Sequence, residues 1–236
     1  MFKIFNVGVL ALLLAACGAP RTRHPAPQPP GESAPTAHPL ISARRYRVDE
    51  TRSELRILVY RAGPLARFGH NHVMVNRSVR GWGNQDLAGS TEFSLNVPVA
   101  AFVVDDAQAR GEEGPDFDGG VPEDAKAGTL RNMLSAAVLD AVGFPSITVD
   151  SVAVSGATDA SGAGTLVATV AISVAGHESQ MDMPFTLRID SRQLSADGSL
   201  ELRQSSLGLT PYSLMFGALQ VQDAITIKFR IIANLS

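Results

Sequence analysis

Two histidines one residue apart, His70 and His72, are the residues whose type and spacing most readily do chemistry in this chain. Alternate residues of a β-strand point to the same side, so both imidazoles are able to reach one metal ion. A metal site needs further ligands. His177 and Glu178 are of the right type, but they follow Gly176 in a hairpin-turn pattern, and nothing in the sequence brings them to His70. Without a third ligand the pair reads first as structural or as a polar contact to a ligand's head group. No metal is assigned, and a module built on His70 and His72 stays as the alternative. Other chemistry is sparse. There is no Gly-x-Ser-x-Gly elbow, no phosphate-cradling glycine loop and no His-Glu-x-x-His helix. Asp116-Phe117-Asp118-Gly119 begins like a calcium loop but lacks the remaining spaced ligands and the closing Glu. No catalytic residue and no cofactor is expected.

Cys17, the only cysteine, offers a different chemistry. Lys3 gives a positive start, and Val7 to Ala16 is an apolar run too short to span a bilayer. Leu14-Ala15-Ala16-Cys17 resembles the bacterial lipobox, in which the cysteine thiol is acylated and becomes the new N-terminus. Residues 1–17 are therefore expected to be a lipoprotein signal peptide with Cys17 as lipid anchor. Gly18, in place of an Asp, points to the periplasmic face of the outer membrane. Pro20 to Pro39 holds 7 of the 14 prolines, so residues 18–43 are expected to be a disordered, extended tether. At about 3.1 Å per residue it spans tens of ångströms.

The domain to be positioned is then 44–236, without cysteine and so without disulfides or a thiol nucleophile. The net charge of −3 does not point to nucleic acid. Charge is unevenly placed, however. Residues 44–80 carry nine arginines and three acids, whereas 105–124 carry eight acids and Arg110, two surfaces of opposite sign.

The dominant period is two. Phe93, Leu95 and Val97 alternate with Glu92, Ser94 and Asn96, and Met181, Met183, Phe185, Leu187 and Ile189 share one side. Val221, Ile225, Ile227, Phe229 and Ile231 repeat the pattern near the C-terminus. Strands are predicted at 46–60, 72–82, 89–103, 146–155, 164–175, 180–190, 198–206 and 221–234. Gly81/Gly83, Gly162/Gly164, Gly176 and Asp197-Gly198 are read as turn signals between them. Eight half-buried strands suit an all-β, mainly antiparallel sheet closed into a barrel. One segment differs. Leu130, Met133, Leu134, Ala137, Val138 and Ala141 recur at helical spacing before Gly143 and Pro145. This predicts one amphipathic helix over 124–142, between the third and fourth strands, lying across the barrel or plugging it.

The order of these motifs resembles the YceI-like family of periplasmic polyisoprenoid-binding proteins over nearly all of 46–234. The resemblance is carried by Tyr46-Arg47-Val48-Asp49 with Ser53, by His72 to Arg80-Gly81, and by Leu130 to Leu139 followed by Phe144-Pro145-Ser146-Ile147-Thr148. Thr169 to Gly176, Gly208 and Asp223 complete it. The Gly69-His70-Asn71-His72 pair and the 211–219 segment depart from the family pattern. The resemblance implies an eight-stranded lipocalin-like barrel whose long apolar cavity holds an isoprenoid or quinone-like chain.

The residues alone leave a filled core equally open. Phe93, Phe185 and Phe229 bring bulk, while Ala153 and Ala168 bring space. For a bound lipid, His70, His72, Tyr212 and Arg67 are the candidates at the head group. Phe68, Met74, Met133, Leu134 and Phe216 are the candidates along the tail, with Phe93 and Phe185 inside the barrel. Three readings remain: a non-catalytic, membrane-tethered lipid carrier, a metal-binding module or metal-dependent enzyme, and an interaction domain without a ligand. The oligomeric state is not indicated.

Overall fold

The computed structural model describes residues 44–85 and 91–236. The expected signal peptide, Cys17 and the expected tether fall outside these residues. The described residues form one compact unit.

Strands β1 (Arg44–Val48) and β2 (Glu54–Ala62) are two pieces of one interrupted strand, as are β3 (His72–Asn76) and β4 (Arg80–Gln85), and β5 (Thr91–Pro98) and β6 (Phe102–Val104). After helices α1 (Ala107–Gly111) and α2 (Glu123–Leu134) come β7 (Ser146–Ser155), β8 (Ala163–Val174), β9 (His177–Ile189) and β10 (Gln193–Arg203). The two-residue β11 (Ser213–Leu214) precedes β12 (Leu219–Leu235). With each interrupted pair counted as one strand, each strand pairs antiparallel with the next. β12 pairs with β10 on one edge and with β1 and β2 on the other, which closes an eight-stranded barrel.

The expected barrel is therefore present, with its first three strands each broken in two. The breaks have side-chain causes. Asp49 turns the chain by accepting from the Thr51 N–H at 3.1 Å and hydroxyl at 2.7 Å. Buried Asn76 accepts from the Ser78 N–H at 2.9 Å and donates to the Pro98 carbonyl at 2.8 Å. Pro98, which lacks a donor of its own, leads into the 3₁₀ turn Val99–Ala101.

Two turn signals lie inside strands. Gly81 and Gly83 are in β4, and Asp197-Gly198 is in β10, paired to Thr186 and to Arg230-Phe229. At Gly198 the missing side chain makes room for the Phe229 ring, since a Cβ there would meet its Cζ at 2.3 Å. The turn before β10 is made instead by Asp190, which accepts from the N–H groups of Arg192 and Gln193. Gly176 does turn the chain, at φ +79°, with the Phe144 ring packed over it. A bulge between Ser151 and Ala153 shifts the alternation, so Ala153 faces solvent and Val154 packs inward.

The helix ends early. Ser135 stops α2 with an extended ψ of 163°, and its hydroxyl donates to the Asn132 carbonyl at 2.7 Å. Val138, Leu139 and Ala141 still reach the core, from turns rather than from a helix. Together with Met133 they plug the barrel, between the third and fourth strands as expected.

The outer face of the barrel is covered in one place. Val73 and Val75 of β3 point outward and are buried by Ala109 of α1 and by Phe117, so β3 is enclosed on both sides. Oppositely charged segments hold this cover in place. Arg56 bonds Glu112 at 2.6 Å and Glu113 at 3.0 Å, Lys228 also reaches Glu113, and Arg77 reaches Asp106 at 3.4 Å. The arginine-rich and acid-rich segments meet here.

Ser53 secures the closure. Its buried hydroxyl donates to the Ile232 carbonyl at 3.2 Å and accepts from the Ile232 N–H at 3.0 Å, across the gap between β1 and β2. Ser53→Ala leaves the Ile232 N–H buried without its partner, while the Ile232 carbonyl keeps the Asp49 N–H at 2.8 Å, and should lower stability by about 1–3 kcal/mol in urea unfolding. Tyr46→Phe is the contrast. The Tyr46 hydroxyl is buried with no hydrogen-bond partner among the described residues, so its removal should leave the urea midpoint unchanged or raised.

Candidate functional site

The barrel interior contains two cavities at opposite ends of β12. The larger, about 240 Å³, lies beneath α2 and is lined by Ile57 and Val59 of β2, Met74 of β3, Met133 of α2, and Val221 and Ile225 of β12. The smaller, about 70 Å³, is lined by Phe93, Leu95, Met183, Phe185 and Phe229 among others. The Tyr46-containing core cluster shares Met74 and Met133 with the first and packs against Leu95 and Phe229 of the second.

Polar groups converge on the larger cavity. His70, His72, Thr129, Asn132, Gln204 and Tyr212 stand around it. His72 opens β3 with its ring turned inward, because the next residue, Val73, is the one buried outward under α1. Its Nδ1 lies 2.6 Å from Asp105 Oδ2, and its Nε2 lies 3.3 Å from the Thr129 hydroxyl. Asp105 Oδ1 accepts from the Val73 N–H at 2.9 Å and from Arg110 at 2.8 Å. Arg110 in turn donates to the carbonyls of Asn71 and Gly119. Asp105 is held in the left-handed region at φ +54°, a conformation that short polar side chains tolerate.

Burial pushes the Asp105 carboxyl up, but hydrogen bonds from His72 and the Val73 N–H, with the charges of His72 and Arg110, outweigh it. The group is held below the usual carboxylate range. An ionised Asp105 accepts from the His72 Nδ1–H and so orients the ring, with Nε2 toward Thr129 and the cavity. His72 is thus an oriented polar contact on an apolar wall.

The sequence-predicted residues separate into three groups. His70, His72, Met74, Met133 and Tyr212 come together around the larger cavity. Phe93 and Phe185 line the smaller one, far along the barrel, while Leu134 packs against the core. Phe68 and Phe216 do not line either cavity. Both stand on the surface, since Phe68 sits on a 3₁₀ turn after β2 and Phe216 on a tight turn before β12. Arg67 stacks on the Phe68 ring at 4.5 Å and lies outside the cavity.

His70 and His72 have ring centroids 6.0 Å apart. His177 instead packs against Gly208. Among the described residues no group of three or more His, Cys, Asp or Glu side chains is arranged to hold a metal ion. Sequence reasoning missed Asp105, Arg110, Thr129, Asn132 and Gln204. The first two lie in the acid-rich segment, and only β3–β6 pairing brings Asp105 to a histidine 33 residues earlier.

A closed, plugged, eight-stranded antiparallel barrel with an apolar pocket beneath its plug defines a lipocalin-like binding barrel. The sequence matches the YceI-like domain over residues 46–233, and the chain belongs to that family. No curated protein matches the sequence significantly. Among solved structures, BcnA of Burkholderia cenocepacia superposes with a TM-score of 0.55 at 16% identity, covering 78% of this chain and 98% of its own. A polyisoprenoid binding domain from Saccharophagus degradans, implicated in plant cell wall breakdown, gives 0.55 at 11% identity, covering 81% and 98%.

Asp105→Asn tests the network. It leaves Arg110 charged and buried without its partner, which should cost about 3–5 kcal/mol at neutral pH. The folded pKa of Asp105 is depressed, so its contribution is present above the unfolded value of about 3.9 and is lost as pH falls through the folded value. Urea midpoints measured from pH 6 down to pH 3 should therefore fall more steeply for wild type than for Asp105→Asn.

Proposed function

We propose that this protein is a non-catalytic carrier that binds a long-chain, isoprenoid-type or quinone-like lipid in the cell envelope. The observation that carries this reading is the cavity beneath α2, whose walls are aliphatic and whose polar groups are few and oriented. That division suits an apolar tail with a small polar head. Burial contributes about 0.8 kcal/mol per CH₂, so ten buried carbons give about 8 kcal/mol before ordering costs. A longer tail reaches the second cavity if side chains between the two rearrange, and Met74, Met133, Met181 and Met183 are unbranched and adaptable. The same fold carries a polyisoprenoid binding domain in Saccharophagus degradans.

Acylation at Cys17 anchors this carrier, on the lipobox-like Leu14-Ala15-Ala16-Cys17, with Gly18 favouring the periplasmic face of the outer membrane. The 18–43 segment is the tether.

Residues 39–236, purified from a bacterial host, should release a stoichiometric long-chain lipid on organic extraction, read by mass spectrometry. Val59→Trp fills the larger cavity and should reduce that lipid severalfold while the barrel's circular dichroism persists. A wild-type extract free of lipid overturns the carrier reading. For the anchor, labelled palmitate should be incorporated into the full chain and not into Cys17→Ser, which should also leave the membrane fraction.

A further inference from the structure

We propose that the rim of the larger cavity is a docking surface for an anionic lipid bilayer, made by the turn after β2 and the β11–β12 turn. The two turns touch. The Leu65 N–H donates to the Ala218 carbonyl at 2.8 Å, and Ala62 pairs with Gln220. They display apolar side chains to solvent: Phe68 is 65% exposed, Met215 72% and Phe216 fully, with Leu214 beside them. Met215 and Phe216 hold left-handed backbone at φ +51° and +54°, ahead of Gly217 at +92°. Strained backbone that presents apolar groups to water gains nothing within the chain and marks a functional surface.

The position and charge of the patch select its occupant. Gly69, His70, Tyr212, Leu214 and Leu219, which adjoin or belong to the two turns, also line the cavity, so the patch borders its opening. Segments 60–72 and 206–222 contain Arg61 and Arg67 and no acid. Arg67 stacks on Phe68, which places a cation beside an apolar anchor, the pairing that suits a headgroup layer. On one flank Asn71 donates to the Asp116 carbonyl, so acids of the 115–118 segment bound the patch there. A barrel docked on this rim would face its cavity to the bilayer.

The surface stands on the exposed residues and needs neither the Cys17 anchor nor a filled cavity. The described residues close their own sheet and core, and a fragment of residues 39–236 that contains them serves as the test protein. In flotation assays they should bind vesicles of phosphatidylcholine with phosphatidylglycerol, and bind pure phosphatidylcholine more weakly. Phe68→Ser with Phe216→Ser should reduce binding at least tenfold, and Arg67→Glu should remove the preference for anionic vesicles. Val152→Ser, an exposed apolar residue on β7, should leave binding unchanged. Phe216→Trp should shift its emission to the blue on anionic vesicles.

Wild type that floats with neither vesicle, or a double serine variant that binds as wild type does, overturns the proposal. So does a dimer in sedimentation that the double variant abolishes without any vesicle binding, since the occupant is then a second copy. Vesicle binding by a barrel whose extract is free of lipid keeps the docking surface and removes only the carrier reading.

Discussion

A sheet that must pair its last strand with its first governs this molecule. β12 does so, with β10 along Ala224–Asn234 on one edge and β1 and β2 in succession on the other. Closure joins the two ends of the sheet and divides every strand into an inner and an outer side. The inner residues then have only each other, the plug or a ligand to pack against. The gap between β1 and β2 would interrupt the seam, and the Ser53 hydroxyl bridges it by bonding both backbone groups of Ile232.

The same closure explains why a charged network sits so close to an apolar cavity. The outward side of β3 is covered by α1 and Phe117, and the chain reaches that cover by leaving β6 at Asp105. A buried carboxylate at this corner needs compensation, and it receives a backbone N–H, Arg110 and His72. His72 is the only one of these partners that lines the cavity. Structural neutralisation of Asp105 and orientation of a polar group toward the cavity are one arrangement.

Much of this was legible beforehand. Period-two alternation identified β7, β8, β9, β10 and β12 to within a few residues, since each strand has one wet side and one dry side. The breaks in the first three strands were not legible, because Asp49, Asn76 and Pro98 are common residues: Asp49 turns the chain through nearby Thr51, and Asn76 through Ser78 and the more distant Pro98 carbonyl. The α2 helix was overextended for a related reason. Apolar residues at helical spacing reach the core equally well from the turns after Ser135.

For the site, the sequence by itself determined which residue types face inward, and with them the apolar character of the interior and the prominence of His72. Tertiary structure decided the rest: Phe93 and Phe185 stand in a different cavity from Met74, and Phe68 and Phe216 stand on the surface. The physical reason is that alternation assigns a residue to a side of its own strand only. Its height along the barrel follows from the register of every neighbouring strand, and that register is a property of long-range pairing.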